Sequence, residues 1–96
     1  MDPVKLNLGE KGEGAFVIME GDEQLGEMVI AIRKDLLTVY HTGVLPKAEG
    51  KGLAKKLLLA MTDYARNNHL KVSPLCPYVH LQFTHHPEVY KDIWKR

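Results

Sequence analysis

The chain of 96 residues holds one cysteine, Cys76. A lone thiol closes no internal disulfide, so a reducing compartment is the expectation. Charge of one sign is missing too. Thirteen Lys and Arg face twelve Asp and Glu, for a formal net charge of +1. A dedicated nucleic-acid binder carries a strong basic excess, so no nucleic-acid partner is expected. No apolar run approaches the roughly 20 residues that cross a bilayer. Residues 1–10 lack the apolar segment of a secretory signal. These absences predict a cytoplasmic protein with no membrane partner. Repeats and low-complexity tracts are also absent. The length fits a single domain, residues 1–96, with one modest core.

The residues present fall into two periods. Residues 1–14 are polar and glycine-rich, with Leu6 and Leu8 alternating. They read either as a short edge strand and loop or as a partly ordered arm. Residues 15–20, 24–33 and 36–44 read as strands, separated by Gly21-Asp22-Glu23 and Lys34-Asp35. Three strands with short turns predict an antiparallel meander. From residue 52 to 68 the period becomes helical, with Leu53, Leu57, Met61 and Tyr64 on one side. Residues 70–75 read as a further strand, placed parallel to 36–44 by the helical crossover. Pro74 should interrupt its pairing. A short helix over residues 78–84 follows, and Pro87 breaks it. Residues 88–95 are expected to form a last helical turn or two, with Tyr90, Ile93 and Trp94 capping the core. The fold class is α/β (α+β), a mixed sheet of four or five strands under one long and one or two short helices.

The strand-to-helix junction carries the chemistry. It reads Val44-Leu45-Pro46-Lys47-Ala48-Glu49-Gly50-Lys51-Gly52-Leu53. The first turn of a helix has amides without intrahelical partners and the positive end of the dipole. Glycines let a phosphate ester approach that backbone closely. Lys47, Lys51, Lys55 and Lys56 make the cluster locally basic. Two phosphate-loop patterns fail. A Walker A loop needs Gly five residues before Gly50, where Leu45 stands, and Ser or Thr where Gly52 stands. A dinucleotide fingerprint needs a third glycine at Lys55.

The junction resembles the coenzyme-A loop of the GNAT-type N-acetyltransferases, written Q/R-x-x-G-x-G/A. More closely, the chain is similar to a very small subfamily of that group. The shared motifs are His41-Thr42-Gly43-Val44-Leu45-Pro46, Glu49-Gly50-Lys51-Gly52, Pro74-Leu75-Cys76 and His86-Pro87-Glu88. The resemblance spans residues 36–96; the preceding hairpin matches by pattern. Two positions depart from it. Lys47 replaces Gln or Arg and loses the planar fork. Glu49 sets a carboxylate beside the phosphates and is expected to point away or to bond backbone amides.

The resemblance implies binding of acetyl-coenzyme A as acyl donor and transfer of its acetyl group to an amine. Residues 36–44 and 70–75 would splay apart, and the pantetheine arm would lie between them. The Val44 amide would polarise the thioester carbonyl, and Lys47, Ala48, Glu49, Gly50, Lys51, Gly52 and Leu53 would surround the pyrophosphate. Cys76 is a candidate nucleophile or proton donor, activated by a helix N-terminus or by His41, and equally a small buried hydrophobe. His41 is a candidate base, or a histidine bonded to a neighbouring strand. Tyr78 is a candidate proton donor to the leaving thiolate, or a core residue. Cys76, His80, His85 and His86 lack the paired spacing of a zinc site, so no metal is expected. Family members are usually longer around the acceptor. The acceptor side here is then either open to a protein or peptide amine or completed by a second subunit in a homodimer. A non-catalytic acyl-coenzyme-A-binding or protein-interaction domain is the alternative.

Overall fold

The computed structural model describes residues 3–96; Met1 and Asp2 of the polar N-terminal segment lie outside the described residues. Five strands form one sheet in sequential order. They are β1 (Lys5–Leu8), β2 (Glu13–Glu20), β3 (Glu23–Arg33), β4 (Leu36–Val44) and β5 (Lys71–Pro74). The first four are antiparallel, so the expected meander is present and gains β1 as an edge strand. A 3₁₀ turn, Pro46–Ala48, and helix α1 (Leu53–Asn67) carry the chain across to β5, which is parallel to β4. Helices α2 (Pro77–His85) and α3 (Pro87–Tyr90) complete the order.

Helix α1 forms because its apolar residues make one stripe. Leu53, Leu57, Leu58, Met61 and Ala65 are all buried, while Lys55, Asp63 and Asn67 are exposed. The stripe packs on Phe16 and Ile18 of β2, Met28 and Ile30 of β3, and Leu37 and Val39 of β4. Phe83 of α2 is fully buried and stacks on Tyr90, with ring centroids 4.5 Å apart. Tyr90 and Ile93 cap the core as expected. The last segment is not helical throughout. After α3 the backbone of Val72 accepts a bond from Lys95 N–H and donates one to Ile93 O. Trp94 thus pairs in parallel with the outer edge of β5.

Two irregularities position the site. Pairing of β4 with β5 ends at Val39 and Pro74, closed by Cys76 N–H to Val39 O at 2.8 Å. Pro74 has no amide proton, and the chain turns away into α2. Beyond Val39, β4 therefore runs on to Val44 without β5 beside it. The second irregularity is a β-bulge. Val39 faces Ile30 and His41 faces Val29, so Tyr40 is an extra residue in β4. The bulge turns Thr42 and Val44 to the α1 side, opposite the buried Met28 and Gly26. It turns His41 to the other face, where its ring lies over Gly43. A Cβ on Gly43 would sit 3.0 Å from His41 Nε2.

Candidate active site

A cavity of 630 Å³ opens along the unpaired part of β4 and reaches the start of α1. Thr42, Gly43 and Val44 form one wall, Ala48 to Gly50 and Gly52 to Lys55 another, and Tyr78 a third. Leu45 N–H bonds Leu25 O across to β3. Strand amides alternate in direction, so the N–H groups of Val44 and Thr42 face the opposite, vacated edge.

The turn below β4 determines which amides are available. Ala48 N–H donates to Leu45 O at 2.9 Å, and Glu49 N–H donates to Pro46 O at 3.2 Å. Pro46 sits in the first position of this 3₁₀ turn, where its fixed φ suits it. Two of the amides expected at the phosphates are thereby used inside the turn. Gly50 and Gly52 then adopt φ of 83° and 75°. This left-handed region costs a side chain dearly, and both glycines face open space. The first helical bond outside the regular ladder runs from Lys56 N–H to Gly52 O. Among the described residues, the amides from Gly50 to Lys55 have no backbone acceptor, and no side chain caps α1. That cradle of free N–H groups at a dipole terminus, beside Lys55, fits a pyrophosphate.

The predicted residues divide into three sets. Val44, Ala48, Glu49, Gly50, Gly52, Leu53 and Tyr78 border the cavity. Lys47 turns elsewhere, since its ammonium pairs with Glu23 at the start of β3. Lys51 is exposed and outside the lining. The carboxylate of Glu49 makes no bond to a backbone amide among the described residues. Cys76 lies behind the wall, 2 % exposed, where its Sγ donates to Thr42 Oγ1 at 3.3 Å. Cys76 and His41 are not brought together, because the bulge places His41 on the opposite face. Burial pushes the Tyr78 phenol above its ordinary value of 10.0, with Tyr90 and Cys76 adding to the effect. It therefore holds its proton at neutral pH. His80 packs edge-on to Trp94, and no group of three potential metal ligands occurs among the described residues. The sequence reading missed Thr42, Gly43, Ala54 and Lys55 as lining residues. The lysine cluster signalled Lys55, and the shared motif from His41 to Pro46 contained Thr42 and Gly43 without giving them a role.

The sheet order, the parted strands and the helices packed on them define an α/β fold with a mixed five-stranded sheet. The chain belongs to the GCN5-related N-acetyl-transferase family, whose model matches residues 15–93. A GCN5-like protein from Staphylococcus aureus, solved by NMR, is 27% identical with a TM-score of 0.65. The match covers 99% of this chain and 91% of that one. A ribosomal-protein-alanine N-acetyltransferase from Brucella melitensis is 19% identical, TM-score 0.62, over 91% of this chain and 64% of its own. An aminoglycoside N-acetyltransferase solved in complex with CoA is 19% identical, TM-score 0.56, over 81% and 66%. The chain thus spans nearly all of the Staphylococcus protein but less than two thirds of the Brucella one. A search of the curated proteins finds no match. No helix among the described residues is long and apolar enough to cross a membrane.

Proposed function

We propose that this chain binds acetyl-coenzyme A and transfers the acetyl group to an amine acceptor. The observation that carries the reading is the continuity of one cavity from the bare edge of β4 to the free amides of residues 50–55. The donor, when bound, supplies an activated thioester. The amides of Gly50 to Lys55 and the Lys55 ammonium hold its pyrophosphate. The Val44 N–H bonds the thioester carbonyl, where negative charge develops as the amine adds. The C–N bond forms and the C–S bond breaks. The proton lost by the amine passes to solvent water at the open side of the cavity, because His41 lies on the opposite face of β4 and outside the lining. Tyr78 gives its phenolic proton to the departing thiolate and regains one from solvent.

Calorimetric titration of acetyl-coenzyme A into wild type and Gly50→Glu tests this reading. The glutamate side chain would enter the amide cradle with a like charge. Saturable one-site binding in wild type, weakened by about 100-fold or more in the variant, is the expected result, on the scale of an unpaired charge forced against a bound anion. Absence of binding to wild type at millimolar donor overturns it.

A further inference from the structure

We propose that the Thr42 hydroxyl is a second hydrogen-bond donor to the thioester carbonyl, beside the Val44 N–H, and that Cys76 is the positioning residue that aims it. The proposal rests on the acetyl-transfer reading and deepens it. A hydroxyl has one proton and two lone pairs. With Cys76 Sγ donating to Thr42 Oγ1, one lone pair is taken and the hydroxyl proton is available to a further acceptor. Among the described residues Thr42 Oγ1 has no acceptor of its own, while Thr42 lines the cavity. The bulge at Tyr40 sets Thr42 on the same face as Val44, two residues further along the bare edge. Thr42 and Val44 therefore line the same wall of the cavity, the one with a side-chain hydroxyl and the other with a backbone N–H on the bare edge.

The thiol cannot be replaced freely in this arrangement. It is buried, its backbone N–H is bonded to Val39 O, and its carbonyl accepts the His80 N–H at 2.9 Å. Both backbone bonds fix the direction from which Sγ meets Thr42. Cys76 serves here as a donor in its thiol form, with no covalent step. A carbonyl held by two preset donors is polarised more than by one, and removal of one such donor typically costs 100-fold or more in rate.

Isotope-edited infrared spectroscopy of acetyl-coenzyme A carrying ¹³C at the thioester carbonyl reads the bond directly and needs no acceptor. The expected carbonyl band of the wild-type complex lies below that of free donor. Thr42→Val shifts it upward, Thr42→Ser restores it, and Cys76→Ser, whose O–H donates to the same oxygen, keeps it. Cys76→Ala leaves the hydroxyl free to rotate and broadens the band. In parallel, Thr42→Val weakens acetyl-coenzyme A binding about three- to tenfold, the worth of one neutral hydrogen bond, and leaves coenzyme A binding unchanged. An identical band in wild type and Thr42→Val, with the donor bound to both, overturns the proposal while the acetyl-transfer reading stands. Failure of wild type to bind the donor overturns both.

Discussion

The two ends of helix α1 are built on opposite terms. At the N-terminal end Gly52 is left-handed, no side chain caps the helix, and the amides of Leu53, Ala54 and Lys55 have no partner within the described chain. At the C-terminal end every turn is closed. Asn68 caps Tyr64 O through both its backbone and its side chain. His69 N–H bonds Arg66 O, and Leu70 N–H bonds Ala65 O, the paired bonds of a Schellman motif. Arg66 then bridges to Asp92 and to Val89 O, tying the helix to the C-terminal segment. The same helix thus has one end satisfied by its own chain and one end left for something else. Substitutions at the closed end should change stability, and those at the open end should change ligand binding.

The largest effect belongs to the closed side. Phe83 is fully buried between Tyr90 and Trp94, at centroid distances of 4.5 and 5.6 Å. Phe83→Ala is expected to cost about 3–5 kcal/mol. That is a large share of the ~5–15 kcal/mol that holds a domain of this kind. Chemical denaturation should show a lower midpoint with the same slope. An unchanged midpoint would mean that the C-terminal layer is not part of the cooperative unit.

A mirrored pair comes next. Gly52 and His69 both hold positive φ, at 75° and 57°, on either side of one helix. The open end has glycine, which accepts this conformation, and the closed end has histidine, which does not accept it freely. Gly52→Ala should destabilise by about 1–2 kcal/mol and weaken acetyl-coenzyme A binding as well. His69→Gly should stabilise by about 0.5–1 kcal/mol and leave binding alone. Thermal melts with and without donor separate the two quantities. A His69→Gly variant that lost donor affinity would break the division between the ends.

This division explains which parts of the molecule the residue pattern could reveal. Helix α1 was legible because Leu53, Leu57 and Met61 repeat at helical spacing, and the meander because its strands alternate between short turns. The splay was announced by Pro74, which cannot donate to a ladder. The glycines of the loop were legible as backbone that must bend. Three features depended on registers that no local pattern encodes. The extra residue at Tyr40 reverses which of His41 and Thr42 faces Cys76, and strict alternation cannot see it. The 3₁₀ turn uses the amides of Ala48 and Glu49, moving the free cradle toward Gly50 to Lys55. Lys47 meets Glu23 across 24 positions of sequence, so a lysine that looks available in the loop has its charge directed elsewhere.

The smallest effect tests the clamp that closes the C-terminal end. The Arg66 guanidinium holds the Asp92 carboxyl below its ordinary value of 3.8, chiefly through their hydrogen bond. Asp92 is 55 % exposed, so water and salt screen the pair. Asp92→Asn should therefore cost only about 0.2–1 kcal/mol at neutral pH. The sign with pH follows from the depressed pKa. The contribution is complete above the unfolded value near 3.8 and is lost as pH falls through the lower folded value. Melting curves of wild type and Asp92→Asn should stay a constant distance apart from pH 5 to pH 8 and draw together below pH 3.8, sooner at high salt. The bond from the Lys71 ammonium to Asp92 O uses only the backbone of Asp92 and survives the substitution. A gap that persisted into acid would show that the difference does not arise from the charge on Asp92, since the contacts common to both proteins cancel.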